Sequence, residues 1–174
     1  MLSNCSFETD RLVVGNWELT DRNIRETAAI VLAHVSEESR KYLPESLASI
    51  RTVNDAVAWL KQQQVEKTVV LLADQKPSWA TVAVLIASEQ FNSEGAKLYI
   101  GYLVLPSRHG NGFATELVQG FIKWTVGLTK VSSIVAGVDS SNSVSVSVLK
   151  KSGFVPMESE SSSTNYVMYE FELV

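Results

Sequence analysis

The residues best suited to chemistry lie in one run, Arg108-His109-Gly110-Asn111-Gly112-Phe113-Ala114. Two glycines one residue apart permit backbone conformations and a closeness of approach that a Cβ would block, so successive amides can converge on an anion. Phe113, Leu117, Phe121 and Trp124 follow at helical spacing, which places those amides at a helix N-terminus. There the unpaired N–H groups and the positive end of the dipole favour a phosphate without any cationic side chain. On the loop alone two readings stand: a phosphate cradle, or an ordinary strand-to-helix turn whose glycines relieve strain.

The elements that must position this loop are an apolar strand before it, YIGYLVL at residues 99–105, closed by Pro106, and the helix after it. Upstream, TVVLLAD (68–74), ATVAVLIAS (80–88) and KLYIGYLVL (97–105) are β-branched and aromatic runs. The turns between them, at 75–78 and 92–95, are short enough for an antiparallel meander. After the helix, VSSIVAGV (131–138) follows a strand and a helix and is expected to lie parallel to residues 99–105. A short helix over 142–151 stops at Gly153, and YVMYEFEL (166–173) closes the sheet after a serine-rich turn at 159–163, read as a solvated hairpin tip.

The N-terminal part reads as a first strand at 10–17 and a helix over 21–35, started at Thr20-Asp21, with Ile24, Ala28, Val31 and Leu32 on one face. Residues 36–51 are polar and interrupted by Pro44, hence an irregular or short helical connection. Thr52 caps a further helix with Asp55 three residues on, as in a capping box, and Val53, Ala56, Val57 and Leu60 form its apolar side. Trp17, Trp59, Trp79 and Trp124 are expected in the core, with an interface as the alternative for Trp79 in its hairpin turn, and His34 on a solvent or partner face.

The chain has 174 residues and is 45% hydrophobic, which suits one domain over 1–174 with a proper core. A net charge of −4 and a pI near 5.2 argue against binding nucleic acid or an acidic membrane through a basic field. With Cys5 alone no internal disulfide or cysteine metal site forms, and His34 and His109 lack metal-ligand spacing. No stretch approaches the ~20 apolar residues of a membrane span, so the expected location is the cytoplasm.

A second pattern decides between the readings of the loop. Asn142, Ser145, Val148, Leu149, Lys151, Gly153 and Phe154 spell Asn-x-x-Ser-x-x-Val-Leu-x-Lys-x-Gly-Phe. It joins Gly110-Asn111-Gly112-Phe113-Ala114-Thr115-Glu116 after Pro106, Ile100-Gly101-Tyr102 in the strand before the loop, and Thr9-Asp10-Arg11-Leu12 near the start. Together these resemble the GNAT superfamily of acyl-CoA-dependent N-acetyltransferases, and within it the RimJ/RimL type that acetylates protein N-termini. The resemblance runs from Phe7 to the C-terminus, with the motif region at 97–154. It implies an α+β GNAT fold: a mixed, mostly antiparallel central sheet flanked by helices and splayed at the acyl-CoA site between residues 99–105 and 131–138.

The resemblance also implies acetyl-CoA as cofactor. Its pyrophosphate would lie against Arg108, His109, Gly110, Asn111, Gly112, Phe113 and Ala114. Its pantetheine arm would follow the backbone of Tyr102 and Val104, the former near the thioester carbonyl, with Asn142 and Lys151 completing the set. The implied function is acetyl transfer to a primary amine, foremost a protein N-terminus. The alternatives are a small amine such as an aminoglycoside or polyamine, or a weakly catalytic acyl-CoA-binding or sensing domain. An amine substrate, no nucleic acid, no membrane, and a monomer or homodimer are the expected associations.

Acyl transfer from sulfur to an amine needs a neutral amine, an oxyanion donor and a proton for the departing thiolate. A strand N–H can serve as the oxyanion donor. Where many relatives carry a tyrosine in the later helix this chain has Leu149, so the resemblance passes the proton donor's role to Ser145, with Asn142 ordering the pantetheine or the serine. Leu98 and Tyr99 stand where relatives often place a glutamate, and no base is assigned. Glu116 is expected to point to solvent. His109 replaces the usual Gln or Arg at the loop opening and can still donate to phosphate. Tyr42, Leu43 and Pro44 fall in the region that shapes the acceptor pocket.

Overall fold

The computed structural model describes residues 1–93, 95–128, 130–157 and 165–173. The chain opens with two short strands, β1 (Ser6–Glu8) and β2 (Leu12–Asn16), and then turns into helices. These are α1 (Ile24–His34), two single turns α2 (Glu37–Arg40) and α3 (Glu45–Ala48), and α4 (Val53–Glu66). The meander follows as β3 (Val69–Gln75), β4 (Ala80–Asn92) and β5 (Gly95–Val104), then α5 (Phe113–Val126). The chain ends with β6 (Val131–Asp139), α6 (Ser143–Lys151), β7 (Val155–Pro156) and β8 (Tyr166–Glu172).

All eight strands form one sheet in the order β1-β2-β3-β4-β5-β6-β8-β7. Every neighbouring pair is antiparallel except β5 and β6. The exception follows from the connection: α5 must carry the chain back across the sheet face before β6 can begin, and such a crossover delivers a parallel strand. The mixed, mostly antiparallel sheet expected from the sequence is the one observed.

Side chains alternate across the sheet, so each face has its own core. On one face Phe113, Leu117, Phe121 and Ile122 of α5 and Leu149 of α6 pack on Leu98, Ile134 and Ala136. On the other, Ala28 and Val31 of α1 and Trp59 and Leu60 of α4 pack on Val70, Leu72, Val84 and Leu103. Each fully buried leucine or phenylalanine contributes roughly 1.5–3 kcal/mol by leaving water, so the two helix layers hold the sheet rigidly and leave its central gap as the variable feature.

The Thr52–Asp55 capping box forms as expected, and Asn142 caps α6 by accepting the Ser145 N–H at 3.2 Å. Other expectations need correction. α1 starts at Ile24, capped by Asn23 and Glu26 in a reciprocal box, while Thr20 ends a preceding 3-10 turn by donating to Trp17 O at 2.7 Å. Thr20 Oγ1 also accepts the Arg22 N–H at 3.3 Å, but α1 itself begins after Asn23, whose box with Glu26 satisfies its first amides. β1 and the two-residue β7 are additional strands, too short to show a period. Trp79 is 60% exposed in the β3–β4 turn, whereas Trp17 and Trp59 are buried. His34 is 2% exposed, not on a solvent face. The serine-rich turn at 159–163 lies outside the described residues.

Candidate active site

The gap in the sheet is set by where pairing stops. β5 and β6 pair in parallel as far as Ile100 and Ala136. Beyond that point β5 stays on β4 through Val104, and β6 stays on β8 through Asp139. The two parallel strands therefore part after Ile100 and Ala136.

Two hydrogen bonds show which residues of β5 address the gap. The Leu105 N–H donates to Val82 O of β4 at 2.9 Å, and the Ala96 N–H donates to Lys130 O on the β6 side at 2.8 Å. Backbone direction alternates along a strand, so the odd-numbered residues face β4 and the even-numbered ones face β6. Tyr102 and Val104 accordingly turn their backbone groups into the gap. The Val104 carbonyl accepts the His109 Nε2–H at 2.9 Å, which folds the loop back against the strand end.

The loop itself is built to expose amides. Pro106–Arg108 forms a 3-10 turn, and Gly110 and Gly112 have φ of 75° and 79°, the left-handed region that favours glycine. Asn111 does not line the cleft: its side-chain amide donates to Arg108 O at 3.1 Å and His109 O at 3.0 Å, bracing the loop from within. Gly112 caps α5 without a side chain, and Glu116 is the first residue whose N–H bonds back, to Gly112 O at 3.1 Å. The amides of Phe113, Ala114 and Thr115 are left free at the positive end of a 14-residue helix. Among the described residues nothing pairs with the Arg108 guanidinium, which lines the same wall.

Sequence reasoning missed what holds this helix in place. Glu116 does not point to solvent. It accepts from Thr9 Oγ1 at 2.5 Å, from the Arg11 N–H at 2.9 Å and from Arg11 Nε at 2.6 Å. Arg11 Nη1 also donates to Asn111 O at 2.9 Å, and its guanidinium lies 4.4 Å from the Phe113 ring centroid. Burial raises the Glu116 pKa, but the bonds from Thr9 and Arg11 outweigh it and hold the carboxyl below the usual glutamate range. The Thr9-Asp10-Arg11-Leu12 opening was the visible signal for this clamp.

Across the gap, α6 brings Asn142, Ser145 and Lys151 to the cleft wall. Asn142's side-chain oxygen is occupied as the helix cap, and the Tyr102 hydroxyl donates to Ser145 O at 3.3 Å. Burial pushes the Tyr102 phenol up to about 12, against a smaller lowering by the Ser145 contact. Gln119 of α5 donates to Lys151 O at 3.5 Å, joining the two helices behind the cleft.

The cleft continues through the gap to the opposite face, with a volume of 1150 Å³. Its far side is formed by Glu38, Tyr42, Leu43 and Pro44 from the α1–α4 connection, by Tyr99 and by Tyr166. Where the strands part, Gly101 and Gly137 present no side chain, and a Cβ on Gly137 would clash with the Tyr166 ring. His34 also borders the cleft, its Nδ1–H donating to Ile30 O at 2.7 Å. Its buried Nε2 has no partner among the described residues, and burial lowers its pKa despite the carbonyls of Ile30 and Val82.

A strand pair that opens onto backbone donors, ending at a glycine loop and helix N-terminus, suits an elongated ligand with a phosphate at one end. The profile of the acetyltransferase (GNAT) domain matches residues 11–155. The chain belongs to the GNAT acetyltransferase family. This GNAT domain is thereby an acetyl-CoA-dependent N-acyltransferase. No curated protein matches it in sequence.

Solved structures similar to this GNAT domain include a RimL ribosomal L7/L12 alpha-N-protein acetyltransferase in complex with coenzyme A, with TM-score 0.77 and 13% identity over 97% of this chain and 98% of that one. Mycobacterium smegmatis RimJ, in complex with CoA-disulfide, gives a TM-score of 0.72 and 17% identity over 97% and 87%. The microcin C7 self-immunity acetyltransferase MccE, in complex with acetyl-CoA and AMP, gives 0.73 and 16% over 94% and 93%. At such identities the likeness is one of fold.

Proposed function

We propose that this protein acetylates the α-amino group of a protein or peptide N-terminus in the cytoplasm, as one domain over residues 1–174. The observation that carries the choice of acceptor is the charge of the cleft. Among the described residues lining it, Glu38 is the one carboxylate, and Tyr42, Tyr99 and Tyr166 supply polar but uncharged rims. A polyamine or aminoglycoside carries several ammonium groups and needs several carboxylates for its desolvation to be offset. One carboxylate suits one ammonium group on an otherwise neutral chain. The named activity of the RimL neighbour supports the same reading.

In this reading the amides of Phe113 and Ala114, with Gly110, Gly112 and Arg108, hold the pyrophosphate of acetyl-CoA. Asn111 braces the loop from within, His109 borders the cleft and ties the loop to the end of β5, and Lys151 stands at the outer rim. Tyr102 and Val104 offer strand N–H groups to the pantetheine arm, and the Tyr102 N–H is placed to stabilise charge developing on the thioester oxygen. Ser145 presents its hydroxyl from α6, and Asn142 fixes the turn that carries it. The geometry leaves the acceptor to approach from the Tyr42 and Tyr166 side over the bare Gly101 and Gly137.

The test is a thiol-release assay with acetyl-CoA against a panel of N-terminally free peptides, their N-terminally blocked counterparts containing lysine, and polyamines. Release with the free peptides alone supports the reading. Release with polyamines alone refutes the choice of acceptor, and CoA binding without release under any acceptor favours a sensing domain.

A further inference from the structure

We propose that the Tyr102 hydroxyl is the hydrogen-bond donor that stabilises the thiolate as it departs, a role that rests on the acetyl-CoA reading of the cleft. Tyr102 is the first residue beyond the last β5–β6 pair, Ile100 and Ala136, whose backbone faces the gap. One residue thus brings two groups to the place where the strands part. Its N–H points along the sheet into the gap, while its ring packs against the core beside α5 and α6 and carries the hydroxyl to Ser145 O. That carbonyl lies one helical turn before Leu149, so a phenol from β5 reaches the part of α6 where no tyrosine of the helix itself is present.

The 3.3 Å contact is longer than a good O–H···O bond, about 2.5–3.0 Å. It orients the hydroxyl at little cost when a stronger acceptor arrives. A thiolate is such an acceptor, and a hydrogen bond to a charged group contributes more than one to a neutral carbonyl. The phenol does not give its proton away. At about 12 it is a far weaker acid than a thiol, ordinarily about 8.5. As the amine nitrogen bonds to the acyl carbon and the carbon–sulfur bond breaks with its electron pair on sulfur, the phenol keeps its proton, the nitrogen releases one to solvent and the sulfur takes one from solvent. Ser145 shares the same turn, but Tyr102 alone is tied to the sheet and to α6 at once. Other charged or titratable groups bordering the cleft are Arg108, His109 and Lys151 on the loop and α6 side, and His34, Glu38, Tyr42, Tyr99 and Tyr166 across it.

The test uses free CoA rather than turnover. CoA is bound to the wild type, to Tyr102→Phe and to Ser145→Ala, and the thiolate absorbance of the bound ligand is followed against pH, with affinity measured by calorimetry and folding by thermal denaturation. Tyr102→Phe keeps the packed ring. It is expected to bind CoA with the wild-type dissociation constant well below the thiol's pKa and about tenfold more weakly well above it, because its bound thiol titrates about one pH unit higher, and kcat falls with the KM for acetyl-CoA unchanged. Equal midpoints in Tyr102→Phe and wild type overturn the proposal. A shift in Ser145→Ala with none in Tyr102→Phe overturns it too, and assigns the role to the serine. In the wild type alone, a bound thiol that titrates at or above free CoA overturns it without any variant. Failure of the wild type to bind CoA would instead sink the acetyl-CoA reading on which the proposal rests.

Discussion

Arg11 and Glu116, 105 residues apart, are joined by two bonds, Arg11 Nε to Oε2 at 2.6 Å and the Arg11 N–H to Oε1 at 2.9 Å. The pair fastens the start of β2 to the first turn of α5, the turn whose free amides face the cleft. Glu116→Gln is expected to lower stability by on the order of 1–2 kcal/mol, since charge-assisted bonds are lost at a partly exposed site. It should also weaken CoA binding by loosening the loop. The carboxyl is held below its unfolded value of 4.5, so its contribution is complete above that pH and is lost as pH falls through the folded value. Chemical denaturation across acid pH should therefore show the two proteins converging as the carboxylate is protonated.

Gly112 has φ of 79° and a side chain there would meet Arg11 Nη2 at 3.5 Å. The space is ordinary, so the penalty is conformational, about 1–2 kcal/mol for an L-residue in the left-handed region. Gly112→Val is expected to leave a folded protein with CoA affinity reduced at least tenfold, in keeping with about 1.4 kcal/mol or more lost from the cradle. Calorimetry and circular dichroism check the two halves, and wild-type affinity would remove the loop from the binding site.

His34 is buried with its pKa lowered chiefly by desolvation. The unfolded chain therefore binds a proton more readily than the native one, and stability should decline as pH falls below about 6.5 toward the folded value. His34→Gln is expected to flatten that decline between neutral pH and pH 5. Thermal melts of both proteins over this range give the answer, and parallel curves would contradict the assignment.

Gly137 and Tyr166 are in close contact on the side of the cleft that the proposed function gives to the acceptor. Gly137→Ala forces the Tyr166 ring from its place. The expected result is a KM for the acceptor changed by about tenfold, the size of effect that a misplaced contact produces, with acetyl-CoA affinity unchanged. Equal changes for both ligands would place the ring in the cofactor site instead.

How far the sequence disclosed this molecule depended on the range of the interactions. The meander, the loop helix and the capping boxes were legible because β-branched runs, helical spacing and cap residues act over a few neighbours. The motif wording around Gly110 and Asn142 disclosed the splay between β5 and β6. Of the Arg11–Glu116 clamp the sequence showed only one half, the Thr9-Asp10-Arg11-Leu12 opening, without its partner, and the burial of His34 was not readable at all, since each depends on which distant surface closes over the residue. Nor could the sequence show that Asn111 turns inward or that the His109 ring bonds to Val104. Those outcomes are decided by loop closure after the helix is docked.

The central claim is acetyl transfer from acetyl-CoA bound in the β5–β6 gap to an N-terminal α-amine. Its most direct test is intact-mass and fragment-ion analysis of an N-terminally free peptide containing lysine, after incubation with acetyl-CoA and either wild type or Gly112→Val. One acetyl group on the α-amine with wild type, and a marked loss with Gly112→Val, is the predicted result. Acetylation confined to the lysine side chain, or equal modification by both proteins, would contradict it.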